Sequence, residues 1–342
     1  MAQESRLRVG MVGCGYISAM HGHAWLASPD VELVAVCDQD QTRARARANQ
    51  WGVANVYGDA AEMIAREKLD ILDIVTRPET HTMLVRLGAD NGIDVICQKP
   101  LAGTIEEATA MVDYCDARGV RFMVNEMWRY VPSIAQMAEQ IQSGAVGTPH
   151  YLRTIAGRQA HRPVYSVYVD QPYFRNMPKL IIYEAMIHWI DSARFLMGNF
   201  ESVYARAQKV DPRNQGEDHA IVTYGHVGGS TSLHEASWVT PGGPPDGVGL
   251  GDSLVEGNEG VLHFSRSGGE LRLTTVNETR VLSRHPSWQE SYQAGFDRCM
   301  AHYASAIRTG APFNSSGRDN LETLKGIFGA YSSLETGQVV KL

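Results

Sequence analysis

Three ionisable side chains stand on an otherwise apolar helical segment near the middle of the chain. Residues 180–197 read LIIYEAMIHWIDSARFLM, so that Glu184, His188 and Asp191 follow one another at spacings of four and three residues. This spacing places all three on one face of an α-helix. Because the other positions are mostly apolar, we expect a buried helix, in which ionisable groups need partners or a function.

Three interpretations of this helix are open from its residues alone. His188 is a core histidine held between two carboxylates, or a metal ligand together with them and with His21 or His161. In the third interpretation His188 is a general acid and base whose tautomer the carboxylates set. No dense metal-binding motif accompanies the helix, so the sequence predicts no metal site.

A glycine-containing turn lies near the start of the chain. Gly13-x-Gly15-x-x-Ser18 follows the apolar run 6–12 and precedes a helical pattern over 16–27. Strand, turn and helix in this order predict a dinucleotide site, where the first glycine forms the turn and the second admits the pyrophosphate. Asp38 ends the next strand, where a carboxylate accepts ribose hydroxyls and repels a 2′-phosphate, which favours NAD over NADP. The cofactor-binding residues expected at these two turns are Gly13, Gly15, Tyr16, Ile17, Asp38 and Gln39.

A lysine follows another buried strand directly. Residues 93–97 run into Gln98-Lys99-Pro100, and ligands of doubly wound sheets bind beyond the carboxyl ends of the strands. A lysine at the end of a strand is most often a solvated side chain. The position of Lys99 nevertheless lies where chemistry would occur.

The first third of the chain alternates strand and helix patterns, which indicates a parallel sheet with right-handed crossovers. Strands are predicted over 6–12, 31–37, 69–76, 93–97 and 120–124, and helices over 16–27, 41–51, 80–91 and 104–118. The sequence therefore predicts an N-terminal Rossmann domain, a doubly wound parallel sheet over residues 1–126.

The remainder, residues 127–342, has a different pattern, typical of an α+β domain with a large, open, mainly antiparallel sheet. Helices are predicted over 133–142, 180–197, 289–308 and 318–336. Strands are predicted near 201–209, 217–225, 230–239, 252–257, 260–265 and 270–275.

Composition excludes several classes of protein. The 342 residues are 44% hydrophobic and 20% charged with a formal net charge of −7, so the chain is globular and lacks the basic patch of a nucleic-acid-binding protein. No apolar run approaches the roughly 20 residues of a membrane span. Residues 1–8 are polar and unlike a signal peptide. Five widely spaced cysteines without a C-x-x-C motif favour reduced thiols and a cytoplasmic protein.

In order and spacing, these motifs resemble those of the Gfo/Idh/MocA family of oxidoreductases over nearly the whole chain. The resemblance starts with the glycine motif, His21 and Asp38. It continues through residues 76–81 (TRPETH, near T-P-N-x-x-H), residues 98–100 (QKP, near E-K-P) and Asn125 with 129–132 (RYVP, near R-F-x-P). It ends with Glu184-x-x-x-His188-x-x-Asp191, near D-x-G-x-H-x-x-D. The resemblance adds Thr76, Arg77, His81, Gln98, Lys99 and Asn125 to the expected cofactor-binding residues.

The resemblance implies hydride transfer between NAD and a sugar, polyol or related compound. Lys99, His188 and Glu184 then carry the chemistry, and the open sheet face forms a homodimer or homotetramer. A family lyase or glycosidase that uses NAD transiently is an alternative, and a non-catalytic nucleotide-sensing regulator is another. Lys99 and His188 argue against the regulator, which needs neither.

The connection over 157–178 is expected near the substrate because it precedes the helix that carries Glu184 and His188. Its run 171–175 (QPYFR), with that helix, resembles the branch of the family that contains D-apiose dehydrogenases. This resemblance implies a pentose-sized aldose oxidised at its anomeric carbon to a lactone. The Gln and Tyr side chains of the run suit the hydroxyl groups of a neutral sugar, whereas the arginines at 129, 162 and 175 would suit a carboxylate or phosphate instead. The expected substrate-contacting residues are Trp128, Arg129, His161, Arg162, Phe174, Arg175, Glu184 and His188.

Overall fold

The computed structural model describes residues 6–157, 167–240, 251–265, 269–285 and 287–342. The chain forms two compact units. The first holds the described part of Met1–Met127 together with Gln293–Leu321, and the second holds Trp128–Tyr292 and Glu322–Leu342. The sequence-based division at residue 126 does not include the return of residues 293–321 to the first unit.

A six-stranded parallel sheet forms the centre of the first unit, in the order β3-β2-β1-β4-β5-β6. The strands are β1 Leu7–Val12, β2 Val31–Cys37, β3 Asn55–Tyr57, β4 Ile71–Ile74, β5 Asp94–Gln98 and β6 Phe122–Asn125. Most of their side chains are buried, as expected for a parallel sheet covered on both faces. The order reverses between β1 and β4, which is where doubly wound sheets bind ligands.

Side-chain caps define several helix starts in the first unit. Asp40 accepts hydrogen bonds from the backbone of the first turn of its helix, and Asp59 and Thr104 each accept one at theirs. The helices are α1 Ser18–Ala27, α2 Gln41–Trp51, α3 Ala60–Arg66, α4 His81–Asp90 and α5 Ile105–Asp116. A short 3₁₀ turn, Pro78–Thr80, leads into α4.

The second unit is built on a nine-stranded sheet in the order β14-β13-β12-β11-β7-β10-β9-β8-β15. Its strands are β7 Pro149–Gly157, β8 Phe200–Gln208, β9 His219–His226, β10 Thr231–Ser237, β11 Asp252–Gly257, β12 Gly260–Ser265, β13 Glu270–Thr275, β14 Thr279–Arg284 and β15 Val340–Lys341. The β7–β10 pair is parallel and the other pairs are antiparallel. Buried and more exposed side chains alternate along β9, β10 and β12, so one sheet face is covered and the other is open.

The helix predicted over 180–197 is not one continuous α-helix. A π-helical segment, Ile181–Ala185, precedes an α-helix, Ile187–Met197. The α-helices that complete the chain are α6 Pro132–Gln142, α7 Val167–Asp170, α8 Ile187–Met197, α9 Trp288–Thr309 and α10 Gly317–Thr336. Two further 3₁₀ segments are Met127–Tyr130, which precedes α6, and Pro172–Asn176, which follows α7.

The predicted fold class is confirmed: a Rossmann sheet is followed by a large, mainly antiparallel sheet. The sequence analysis missed the central strand β7, which lies between β11 and β10. It also missed β3, α3, α7, β14 and β15, which are short or lie at sheet edges. All five cysteines are buried and none forms a disulfide. Within the described residues, every helix is too short or too polar to cross a membrane.

Candidate active site

The glycine turn after β1 has the geometry of a dinucleotide-binding loop. Gly13 has a φ of 103°, and a Cβ there would lie 2.4 Å from the carbonyl oxygen of Val75. A Cβ on Gly15 would meet no atom within 4 Å, so the backbone is open to a ligand at that residue. Ser18 Oγ donates to the Gly15 carbonyl at 2.6 Å. Serine in the third glycine position therefore ties the loop to the start of α1.

The carboxylate of Asp38 is fixed beside this loop. Its Oδ2 accepts from the backbone N–H of Cys14 at 2.8 Å, and its Oδ1 accepts from that of Asp40 at 2.8 Å. A terminal guanidinium nitrogen of Arg43 lies 3.7 Å from Oδ1 of Asp38, and Nε of Arg43 lies 3.1 Å from Oδ2 of Asp40. Tyr16 and Gln39, predicted to contact the cofactor, are exposed, and Ile17 is half-buried.

Lys99 occupies the turn directly after β5. Its side chain is half-buried, and the Lys99–Pro100 peptide bond is cis. The Lys99 backbone N–H donates to Oε1 of Gln98 at 3.1 Å. This turn therefore places Lys99 at the carboxyl end of the sheet, where the sequence predicts chemistry.

His81 links the turns that follow β4 and β5. Its Nε2 lies 3.1 Å from the Thr76 carbonyl oxygen and its Nδ1 lies 3.0 Å from the Leu101 carbonyl oxygen. Burial lowers the pKa of His81, although both backbone contacts favour the charged form. His81, expected to contact the cofactor, is fully buried, and its two contacts connect these turns. Arg77, in the same turn, is exposed.

Two other predicted cofactor contacts also have internal partners. Gln98 is buried, and its Nε2 lies 2.6 Å from Nε2 of His21. Asn125 is fully buried, and its Nδ2 lies 3.0 Å from the same His21 atom. The structure therefore places both carboxamides in a network within the first unit. Sequence reasoning missed this role because it treated each motif separately.

In the second unit, Glu184 and His188 lie on either side of a change in helix type. Glu184 lies in the π-helical segment and is half-buried, and His188 lies in the first turn of α8 and is buried. Glu217 Oε1 fixes the segment by accepting from the backbone N–H groups of Leu180 and Ile182, each at 3.1 Å. Single π-helical turns inside α-helices occur frequently at functional sites. The predicted four-residue spacing on one α-helical face is therefore replaced by a widened turn.

The ring of His188 stacks on Trp128. The ring centroids are 4.8 Å apart and the planes are 11° from parallel. Trp189 and Trp288 pack against Trp128 at 5.8 and 5.5 Å. Trp128, expected to contact substrate, is fully buried, and its stacking restricts the orientation of the His188 ring.

Arg129 and Asp191 form a buried, bidentate ion pair. Arg129 Nε donates to Oδ2 of Asp191 at 2.7 Å, and one terminal guanidinium nitrogen donates to Oδ1 at 2.6 Å. Thr323 Oγ1 also donates to Oδ1, at 2.7 Å. Arg129 was expected to contact substrate, but its partner is this carboxylate. The third ionisable group of the predicted helix therefore pairs with an arginine.

Arg175 also pairs with a carboxylate of its own unit. One of its terminal nitrogens lies 3.4 Å from Oδ2 of Asp211 and 3.1 Å from Oδ1 of Asn214, and its guanidinium covers the ring of Tyr168 at 3.9 Å. Arg213, which binds the same carboxylate, holds the pKa of Asp211 well below its usual range, and Arg175 adds to this effect. Arg175 therefore shares the Asp211 carboxylate with Arg213, and its side chain is partly exposed.

Other predicted contacts lie in the core or outside the described residues. Phe174 is buried, and its ring packs against Tyr173 and Trp238. His161 and Arg162 lie outside the described residues. Within the described ranges, no three His, Cys, Asp or Glu side chains come together as a metal site would require.

Comparison with known proteins agrees with this arrangement. A model described as "Oxidoreductase family, NAD-binding Rossmann fold" of the Gfo/Idh/MocA type matches residues 7–126, and the model of the Gfo/Idh/MocA C-terminal domain matches residues 134–262. Together the two models match well over half of the chain.

Three individual proteins resemble the chain over nearly its full length. A D-apiose dehydrogenase from Paraburkholderia graminis is 35% identical, covering 98% of this chain and 90% of the relative. One from Rhizobium rhizogenes is 31% identical, covering 99% and 98%. A crystal structure of an oxidoreductase from Agrobacterium radiobacter in complex with NAD+, L-tartaric acid and magnesium is 29% identical, with a TM-score of 0.91 and coverage of 98% of both chains.

Proposed function

The chain belongs to the Gfo/Idh/MocA family of oxidoreductases and is an NAD-dependent dehydrogenase, and from this premise we propose that it oxidises a small neutral sugar. The proposed substrate is a pentose-sized aldose such as an apiose-type sugar, oxidised at its anomeric carbon to the lactone, or a polyol. The D-apiose dehydrogenases that resemble the chain support this substrate class.

The observation that supports a neutral substrate is that two arginines form ion pairs within the protein. Arg129 and Arg175 would be good bidentate partners for a carboxylate or phosphate. Arg129 is already paired with Asp191, and Arg175 shares the carboxylate of Asp211 with Arg213. Glu184, in the segment before α8, adds a negative charge that disfavours an anionic substrate nearby.

The glycine turn and Asp38 fit NAD. The open space at Gly15 admits the pyrophosphate, the start of α1 favours its charge, and Asp38 is aligned to accept the ribose hydroxyls. Bound NAD+ supplies the hydride acceptor for oxidation of the sugar carbon.

Three side chains act on the substrate in the proposed mechanism. His188 takes the proton of the hydroxyl group on the carbon that loses hydride, so that a C=O bond replaces the O–H and C–H bonds. Lys99, as an ammonium group, stabilises the negative charge that develops on this oxygen. Glu184 orients the substrate or the His188 ring. Trp128 restricts the rotation of that ring by stacking on it.

A panel of substrates tests the proposal. Pentoses, polyols, sugar acids and sugar phosphates are each assayed for NADH formation at equal concentration. We expect the highest kcat/KM with a neutral pentose. A preference for an acidic or phosphorylated compound would refute the argument from the arginine pairs, and product without net NADH would indicate the transient-oxidation alternative.

Substitution of Lys99 and His188 tests the mechanism. Lys99→Met and His188→Asn are each expected to lower kcat by roughly 10²–10⁴-fold, as for general acid–base groups. NADH binding, followed by fluorescence, should survive. Lys68→Met and His150→Asn, at exposed positions, are matched controls. Near-normal turnover in either test variant would remove that residue from the mechanism.

Asp38 is the basis for the preference for NAD over NADP. We expect a much higher kcat/KM with NAD, and Asp38→Ala should weaken the use of NAD while the protein still folds. Equal use of both cofactors by the wild type would contradict this prediction.

The open sheet face supports a homodimer or homotetramer. On five adjacent strands, residues paired across the sheet form a row in which charged side chains alternate with exposed isoleucines. The row consists of Arg206, Ile221, Glu235, Ile155 and Asp252.

Light scattering on the purified protein tests this assembly. Ile221→Lys places a charge in the row and should shift the mass toward the 37.6 kDa of one chain. Val276→Lys, at a 94% exposed position outside the strands, is the control and should leave the mass unchanged. A monomeric wild type would refute the assembly.

A further inference from the structure

Next to the Lys99 turn, the first unit contains a buried chain of polar side chains. Asp73 on β4 accepts from Trp25 Nε1 at 2.7 Å, and its Oδ2 lies 2.9 Å from Nδ1 of His21. On the other side of the imidazole, Nε2 of His21 contacts the carboxamides of Gln98 and Asn125. The ionisable members, His21 and Asp73, are fully buried.

The direction of each hydrogen bond follows from one backbone group. The Lys99 N–H can only donate, so the atom of Gln98 that faces it is the carbonyl oxygen, Oε1. The other end of that carboxamide, Nε2, therefore donates to Nε2 of His21, which must be unprotonated there. The proton of a neutral His21 then lies on Nδ1 and is donated to Asp73.

Asn125 agrees with this assignment independently. The Cys299 thiol lies 3.5 Å from Oδ1 of Asn125, where it can donate a weak hydrogen bond. The opposite end of the carboxamide, Nδ2, then donates to the same unprotonated nitrogen of His21. Two amide donors thus converge on one imidazole acceptor.

We propose that Gln98, held by the neutral Nδ1–H tautomer of His21, is the positioning residue that fixes the Lys99 turn for catalysis. The inference rests on the proposed function, because it concerns how Lys99 is presented to the substrate. The planar carboxamide of Gln98 makes one hydrogen bond at each end: its oxygen accepts from the Lys99 N–H, and its nitrogen donates to His21. Rotation of Gln98 would break both bonds, so the network restricts the backbone at the lysine.

Neighbouring titratable groups do not add charge to the network at neutral pH. Burial raises the pKa of the Cys97 thiol and of the Tyr303 phenol well above their ordinary values, so both stay protonated. On α9, the Phe296 ring packs 5.2 Å from the His21 ring. The carboxylate of Asp73 is thus satisfied by two N–H donors, Trp25 and His21.

The tautomer is measured by two-bond ¹H–¹⁵N correlation NMR on protein labelled with ¹⁵N-histidine. The chain has 12 histidines, and the His21 signal is identified by its contacts with the Phe296 ring. We expect the pattern of an imidazole protonated at Nδ1 alone. A proton on Nε2 in the wild type would overturn the assignment. This measurement needs no substrate, so it tests the hydrogen-bond directions in the network even if the protein does not oxidise the proposed sugar.

Two variants of Gln98 separate positioning from general structure. Gln98→Met keeps the length of the side chain but removes the acceptor for Lys99 N–H. We expect kcat to fall about tenfold or more, since a misplacement of 1 Å can cost about 10²-fold. NADH binding should change less than twofold. Gln98→Glu restores that acceptor and should return kcat to within about threefold of the wild type.

Gln98→Glu also changes the donor pattern, which a structural role alone would not predict. A carboxylate at 98 has no proton to donate, so Asn125 would remain the amide donor to Nε2 of His21, and the ¹⁵N signal of that nitrogen should shift. His23→Asn is the control, because His23 lies on the same helix but is exposed. The proposal is overturned if Gln98→Met keeps normal kcat or if Gln98→Glu leaves the His21 signal unchanged.

Discussion

The ion pair between Arg129 and Asp191 gives a sharp test of the roles of these two residues. Asp191→Asn preserves the shape of the side chain and removes its charge. In the wild type the arginine side chain is 3% exposed and the aspartate 0%, with two hydrogen bonds of 2.6 and 2.7 Å between them. The substitution therefore leaves a guanidinium buried without its carboxylate, and Thr323 loses an anionic acceptor.

The expected loss of stability is large. Removing one partner of a buried ion pair costs about 3–5 kcal/mol because the remaining charge stays desolvated. The second unit has about 190 residues, and in domains of that size 1 kcal/mol shifts Tm by about 2–4 °C. Asp191→Asn should therefore lower Tm of this unit by about 6–20 °C.

Thermal unfolding by circular dichroism measures this loss, and two further variants control for it. Glu322→Gln removes a partner from the exposed Glu322–Lys325 pair, and it should cost less than about 1 kcal/mol. The double variant Arg129→Met with Asp191→Leu replaces both charges by apolar groups and should recover much of the loss.

The alternative role for Arg129, direct contact with substrate, predicts a different outcome. Arg129→Met would then raise KM while Tm stayed near that of the wild type. A shift of less than about 2 °C in Asp191→Asn would refute the stabilising role of the pair.

Three further predictions concern the glycine turn and two buried ionisable groups. Gly13→Ala should destabilise the first unit, because its Cβ would lie 2.4 Å from the Val75 carbonyl oxygen. Gly15→Ala should fold normally but bind NADH more weakly by fluorescence titration, and normal binding would contradict the loop assignment. Burial lowers the pKa of His234 from 6.5 to about 3. A histidine in the unfolded chain therefore binds a proton at a higher pH than His234 does in the folded chain, and the free energy of unfolding should fall by about 2 kcal/mol between pH 6.5 and 4.5 in urea titrations. His234→Leu should reduce this loss, and an unchanged pH dependence would refute it. Burial raises the pKa of Glu217, so its contribution to stability should decrease as pH rises from 4.5 through its folded value. Glu217→Gln should flatten stability in that range, and an unaltered slope would exclude the effect.

Most elements of both sheets were predictable because their residues carry a clear period. The buried strand β2 and the helix α2 begin and end where the pattern predicts. Strands β11, β12 and β13 also match, since turn residues bound each of them. The three residues of β3 and the two of β15 are too short to show a period. Their pairing depends on neighbouring strands rather than on their own sequence.

The site was predictable in the identity of its motifs but not in their partners. The positions of Lys99 and of the glycine turn follow from the order of strands, which a sequence shows. Which carboxylate pairs with Arg129 depends on packing between a 3₁₀ segment and α8, which it does not show. The π-helical segment was also hidden, because its start is fixed by Glu217, more than thirty residues away in the chain.

Whether the arginines are already ion-paired says more about the charge of the proposed substrate than how many arginines there are. To bind an anionic group, Arg129 would have to leave Asp191, at a cost of about 3–5 kcal/mol. Since each 1.4 kcal/mol is tenfold in affinity, this exchange would weaken the binding of an anionic ligand by on the order of 10²–10⁴-fold. The loss is smaller at Arg175, which is partly exposed. A neutral sugar requires neither exchange, so Arg129 and Arg175 do not by themselves indicate an acidic substrate.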